Sequence, residues 1–229
     1  GVGTSGTIVT SSDGSTLDTR TSGTTNNLEG VTYGNGLFVA VGGSGTILTS
    51  SDGITWTIRT SGTGTSLRAV TYGNGTFVAV GSYGIILSSL DGITWTSRTS
   101  GTSNELKGVT YGNNTFVAVG ISGIILTSSD GITWISRTSG TSSDLGQVTY
   151  ANSTFVSGGD SGTILTSSDG TTWTSRTSGT GSYLRGVTYG NNTFVNVGQS
   201  GTILTSSNGT SWTSRSSGTQ SYLYGITYG

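Results

Sequence analysis

Asp52, Trp56 and Arg59 lie within seven residues of one another in the run Leu48–Thr63, LTSSDGITWTIRTSGT. An acid, a large aromatic ring and a cation at that spacing could serve general acid chemistry or hold a ligand by charge and stacking. The group is repeated. The acid position reads Asp13, Asp52, Asp91, Asp130, Asp169 and Asn208, each 39 residues from the last. The aromatic four residues on reads Trp56, Trp95, Trp134, Trp173 and Trp212, with Leu17 in the first copy. The cation follows at Arg20, Arg59, Arg98, Arg137, Arg176 and Arg215. Asn208 cannot act as a general base, and Leu17 shows that a plain hydrophobe can fill the ring position. The repeated acid therefore reads as part of a turn. Its carboxylate accepts backbone N–H bonds, the following Gly supplies a positive φ, and the Trp buries a large surface. No catalytic residue is assigned, and the chain is expected not to be an enzyme.

The elements that hold these turns follow from the same period, which Tyr33, Tyr72, Tyr111, Tyr150, Tyr189 and Tyr228 also keep. Within Leu67–Thr102, LRAVTYG and TFVAVG flank the turn Asn74-Gly75, which favours a two-residue hairpin. IILSS follows after Ser82–Gly84, and ITWTSRTS follows after Leu90–Gly92. No stretch shows helical periodicity. Four short antiparallel strands per unit of about 40 residues predict an all-β fold, a six-bladed β-propeller with four strands per blade. Gly1–Gly3 aligns with the end of a second strand, and Leu223–Gly229 with a first strand. The termini are thus expected to share one blade and close the ring, with residues 1–229 forming one propeller domain.

Composition narrows the function. Charged residues make up 8% of the 229, and the net charge is −1, so no basic stripe for nucleic acid is available. No apolar run reaches the roughly 20 residues of a membrane helix, so membrane insertion is not expected. Cys, His and Met are absent, which removes the usual ligands of zinc, haem, copper and iron–sulfur sites. No metal or cofactor is expected. The chain opens on Gly, which reads as a processed or excised segment with no targeting signal. Asn74, Asn113, Asn152, Asn191 and Asn208 stand in Asn-x-Ser/Thr acceptors but read as turn residues.

The run Ser51–Trp56, SDGITW, resembles the Asp-box, or BNR repeat, of sialidases, sortilin-type receptors and many bacterial propellers, with Asp and Gly adjacent instead of one residue apart. Leu67–Trp95 widens the likeness. Gly84, Ile86, Leu87, Asp91, Gly92, Thr94 and Trp95 match the blade of propellers related to the photosystem II assembly factor. The resemblance covers all six copies and implies that the Asp turn lies away from the ligand face. A sialidase-like enzyme would need a Tyr nucleophile paired with Glu, and the chain holds only Glu29 and Glu105. The six repeated Arg are expected on the outermost strands, their stems over an aromatic ring or their heads on turn carbonyls; the alternative is a cationic ring.

The copies differ in two places: the link from each fourth strand to the next first strand, and the turn between strands two and three. Both fall at one end of an antiparallel blade. The residues expected to bind a partner there are Glu29, Arg68, Tyr83, Lys107, Asp144, Asp160, Tyr183, Arg185, Tyr222 and Tyr224. Loops on a rigid scaffold are the usual place for recognition. The expected function is a non-enzymatic binding or scaffold module, with a glycan or protein ligand held multivalently, in an extracellular or cell-surface setting within a larger surface assembly. The alternative is a purely structural repeat domain of a surface or filament protein, or an engineered scaffold.

Overall fold

The computed structural model describes residues 1–228, and the chain forms two compact units. The first spans Gly1–Glu105 with Asp130–Thr133, and the second spans Leu106–Ser129 with the chain from Trp134 onward. The first unit holds a two-stranded sheet, β1 (Ile8–Thr10) and β2 (Asp18–Arg20). Two four-stranded sheets follow: β3 (Leu28–Gly34), β4 (Leu37–Gly42), β5 (Ile47–Ser50) and β6 (Thr57–Arg59), then β7 (Leu67–Gly73), β8 (Thr76–Gly81), β9 (Ile86–Ser89) and β10 (Thr96–Arg98).

The strands of the second unit form three more four-stranded sheets. They are β11 (Leu106–Gly112), β12 (Thr115–Gly120), β13 (Ile125–Ser128) and β14 (Ile135–Arg137); β15 (Leu145–Ala151), β16 (Thr154–Gly159), β17 (Ile164–Ser167) and β18 (Thr174–Arg176); and β19 (Leu184–Gly190), β20 (Thr193–Gly198), β21 (Ile203–Ser206) and β22 (Thr213–Arg215). Every sheet is an antiparallel meander in chain order, as the hairpin signals require. Asn74 and Asn113 take φ +46°, as do Asn152 and Asn191, each followed by another positive φ. This is the conformation a two-residue hairpin needs.

The fourth strands are shorter than the sequence suggests. β10 begins at Thr96, whereas the run ITWTSRTS starts at Ile93. Ile93, Thr94 and Trp95 are drawn into the Asp turn, whose carboxylate binds the N–H of Ile93 and Thr94. The closing strand expected at Leu223–Gly229 is not formed over Leu223–Tyr228, and Gly229 lies outside the described residues. The segment instead lies along β19 and β20. Leu223 N–H donates to Gly198 O at 3.0 Å, and the Tyr228 ring rests over Gly190, where a Cβ would lie 2.0 Å from it.

The core runs between neighbouring blades. The second strands are buried on both faces: all six residues of β8 are buried. In the first unit, Val39 and Val41 of one blade pack with Leu67, Val70, Phe77, Ala79 and Leu87 of the next. In the second, Val117 and Val119 pack with Leu145, Val148, Phe155 and Leu165. Each fully buried Phe, Leu or Val side chain contributes about 1.5–3 kcal/mol relative to exposure. The repeat thus invests its apolar residues in blade-to-blade contacts and leaves the strand ends free to vary.

Candidate binding face

The Asp turns are hydrogen-bonded as structural fasteners. Asp52 Oδ1 accepts the N–H of Ile54 and of Thr55, both at 2.8 Å, and the Ser50 hydroxyl at 2.9 Å. Gly53, at φ +73°, donates its N–H to Ser50 Oγ, and Trp56 Nε1 donates to Gly53 O at 3.1 Å. Asn208 makes the same contacts through its amide oxygen. Backbone N–H groups of Thr55 and Ile54 hold the Asp52 carboxyl down at about 2, and those of Thr94 and Ile93 hold Asp91 down at about 2. Asp13 and Asp169 are lowered in the same way, chiefly by the N–H of Thr16 and of Thr172. A carboxylate ionised so firmly has no proton to give near neutral pH. Asp130 receives the N–H of Ile132 and Thr133.

The six repeated Arg make one cross-strand contact, and it is not the expected one. Each Nε donates to the hydroxyl ten residues earlier on the third strand: Arg20 to Thr10, Arg59 to Thr49, Arg98 to Ser88, Arg137 to Thr127, Arg176 to Thr166 and Arg215 to Thr205, at 2.7–2.9 Å. The strand-three Thr or Ser is a diagonal neighbour of the Arg in the ladder, which brings its hydroxyl within reach of the guanidinium.

The variable residues occupy a distinct device. In each of the five first strands of the four-stranded sheets the ladder slips after its leading Leu; the residue left unpaired is Glu29, Arg68, Lys107 or Arg185 in four of them, and Gly146 and Gln147 are left unpaired in β15. A bulge re-aims the side chain it carries. Arg68 reaches Glu105 Oε1 at 2.6 Å and Glu29 Oε1 at 3.5 Å, and Ser82 Oγ donates to the same Glu105 oxygen at 3.0 Å. Lys107 reaches Asp144 Oδ2 at 3.0 Å and the Tyr183 hydroxyl at 3.1 Å, while Ser122 N–H donates to Asp144 Oδ1. Within each unit the link and the strand-two-to-three turn therefore meet at one end of the blades, as the sequence suggests. Burial opposes the charge on Lys107, but Tyr183 and Asp144 outweigh it and raise its pKa. Burial likewise opposes ionisation of Asp144, and the Ser122 N–H and Lys107 lower its pKa against that.

Arg185 is the exception. Its guanidinium carbon lies 4.6 Å from the Tyr183 ring centroid and 5.2 Å from that of Tyr224, and Tyr222 sits against Tyr224 at 6.0 Å. Its Nε is buried and has no hydrogen-bond partner, and no acid pairs with it among the described residues. The reason can be read along the chain. Arg68 and Lys107 each meet the residue 37 positions later, Glu105 and Asp144; for Arg185 that place is Tyr222. The second unit thus gathers Lys107, Asp144, Tyr183, Arg185, Tyr222 and Tyr224, with one more cation than acid. The side chains of Tyr83 and Asp160 stay outside these clusters, although Asp160 donates its N–H to Asp144 O at 2.7 Å. Tyr83 is 81% exposed at φ +55°, a position filled by Ser in the other five copies, and Asp160 binds the N–H of its neighbour Ser161. Glu105, which is not among the residues expected to bind a partner, completes the Arg68 pairing.

Meandering four-stranded blades at a 39-residue period, packed through their second strands, define a β-propeller of the six-bladed class, with β1–β2 standing for the sixth blade. Solved structures agree. The chain is similar to YCF48 bound to D1 peptide, at 19% identity and a TM-score of 0.72 over 93% of this chain and 75% of that one. It is similar to YCF48 from Cyanidioschyzon merolae, at 17% identity and a TM-score of 0.73 over 97% of this chain and 83% of that one. A chain of the nidogen/laminin complex matches at 13% identity and a TM-score of 0.68 over 92% of this chain and 88% of that one. At these identities the likeness is one of fold. No protein-family model and no curated protein matches the chain.

Proposed function

We propose that this chain is a non-enzymatic binding module of Asp-box type that captures an anionic segment of a protein partner on its variable end, with Arg185 at the centre. The observation that carries this reading is Arg185 itself. It is a cation left without the acid that its counterparts have, held between two tyrosine rings, with a buried Nε that has no partner. A planar guanidinium of this kind suits a carboxylate or phosphate, and the flanking rings add stacking surface. Of the solved structures similar in fold, one is YCF48 bound to D1 peptide and another is the nidogen/laminin complex, which favours a protein ligand. A carboxylated glycan presents the same charge and is the second ligand chemistry. The setting proposed is extracellular or on a cell surface, where repeated blades can act multivalently.

The structural reading remains the runner-up, favoured by the near-identity of the six blades. Arrays of acidic peptides and of glycans, probed with the chain and with Arg185→Ala/Tyr183→Ala/Tyr222→Ala, separate the two. Binding that the triple variant loses supports the module. An absence of hits on both arrays supports the spacer.

A further inference from the structure

Leu90 departs from the repeat. It precedes Asp91, where the other five copies have Ser12, Ser51, Ser129, Ser168 and Ser207. Its side chain is 74% exposed. A lone apolar residue on a surface needs no explanation, but apolar residues gathered in a groove mark an interaction site. Ile132, at 48% exposure, is gathered with it. The two line a groove of about 260 Å³ in the first unit, together with Thr76, Thr94, Thr96 and Arg98. The counterparts of this Leu–Ile couple are Ser12 with Ile54, Ser51 with Ile93, Ser129 with Thr171 and Ser168 with Thr210. The apolar walls therefore belong to this one place.

The groove also holds an unmatched cation. Arg98 Nε donates to Ser88 Oγ at 2.7 Å, and no acid pairs with its guanidinium among the described residues. Its counterpart Arg20 reaches Asp18 at 2.8 Å, but Thr96 stands in the place of Asp18 ahead of Arg98. Asp91 lines the groove as well, yet its carboxylate is committed to its own turn. Oδ1 accepts the N–H of Ile93 and of Thr94 and the Ser89 hydroxyl, and Oδ2 accepts the Thr94 hydroxyl. Ser88, which holds Arg98, is two residues from Leu90, so one short segment can reach both the cation and the apolar wall.

We propose that this groove docks an extended segment of a partner protein in which an aliphatic and an acidic residue stand two apart. In an extended chain, residues i and i+2 project from the same side. The aliphatic side chain lies against Leu90 and Ile132, and the carboxylate meets the Nη groups of Arg98 in a charge-assisted pair. A basic residue in the acidic place would set two cations together. The volume falls below the about 300–1,000 Å³ of small-molecule pockets and suits one or two side chains of a peptide. The groove is at the Asp-turn end of the blades, the opposite end of this unit from Arg68 and Glu105, and it stands independently of the reading of Arg185.

The test is a titration of the full chain, isotope-labelled at its Ile methyl groups, with acetyl-Gly-Leu-Ser-Glu-Gly-amide. NMR follows the Ile132 methyl signal, which reports on this groove. Leu90→Ser restores the residue of the other five copies and so is expected to fold normally; Arg98→Ala removes the cation. The parent is expected to show a saturable shift, and both variants to bind at least about tenfold more weakly. A peptide with Lys in place of Glu, or Ser in place of Leu, is expected to leave the signal unmoved. No shift in the parent, equal affinity for either variant, or an equal response to the Lys peptide would overturn the proposal.

Discussion

Arg185 stacks on Tyr183 at 4.6 Å, at the same bulge position where Arg68 and Lys107 meet an acid. The difference is one residue. Position 222 is Tyr, whereas its counterparts 105 and 144 are Glu and Asp. Arg185 thus has an aromatic cradle where Arg68 and Lys107 have an ion pair, and its guanidinium is left without an acid among the described residues.

Restoring the acid should close the site. Tyr222→Glu places a carboxylate 37 residues after Arg185, the spacing of the two existing pairs. The expected outcome is loss of binding to anionic probes with stability altered by less than about 1 kcal/mol, since exposed ion pairs contribute little. Thermal unfolding and titration of one preparation check both halves.

The Asp turns set a dependence on acid. Asp52 and Asp91 titrate at about 2 when folded, below their ordinary value of 3.8. A lowered folded pKa contributes stability that is present above the unfolded value and is lost as pH falls towards the folded one. Stability should therefore decline between about pH 4 and pH 2. Asp52→Asn/Asp91→Asn, which keeps the acceptor as Asn208 does, should flatten that decline while folding normally at pH 7. Denaturant midpoints measured across the range read this directly.

Asn196 and Gly158 form a size-exchanged pair between two blades of the second unit. Asn196 is fully buried with both amide atoms unpartnered, where other copies have Ala40, Ala79, Ala118 and Ser157. Gly158 stands where others have Val41, Val80, Val119 and Val197, and a Cβ there would fall 2.6 Å from Asn196 Nδ2. Gly158→Val alone should destabilise by about 1–3 kcal/mol through overpacking. Asn196→Ala/Gly158→Val should recover that loss and exceed the parent, because the unpaired amide is gone. A double-mutant cycle in urea should give a coupling of about 1 kcal/mol or more.

The Arg ties should be modest and alike. Thr49→Val removes the acceptor of Arg59 Nε, which is bound at 2.8 Å on a part-buried strand. A loss of about 0.5–1.5 kcal/mol is expected, with no effect on binding to the variable end. Chemical denaturation beside a binding titration checks it.

Blade count, strand order and the Asp turn were legible in the sequence because each rests on local chemistry repeated at a fixed step. Asn74-Gly75 dictates a hairpin wherever it falls, and Asp52 needs only its own neighbours. The Arg contact was not legible, because Thr49 meets Arg59 through strand register. Glu105 was missed for the same reason: its partner lies on a bulge one blade away, and a bulge leaves no mark in residue type. The spacing of 37 from Arg68 to Glu105, repeated from Lys107 to Asp144, was the available signal.

The central claim is that Arg185 is a free cation poised for an anion. Titration of the chain and of Arg185→Ala with labelled hexaglutamate at low and at physiological salt tests it most directly, with Arg59→Ala as a control from the strand-three tie. The account predicts salt-sensitive binding by the chain and by Arg59→Ala, and at least about tenfold weaker binding by Arg185→Ala. Equal binding by Arg185→Ala and the parent would contradict it.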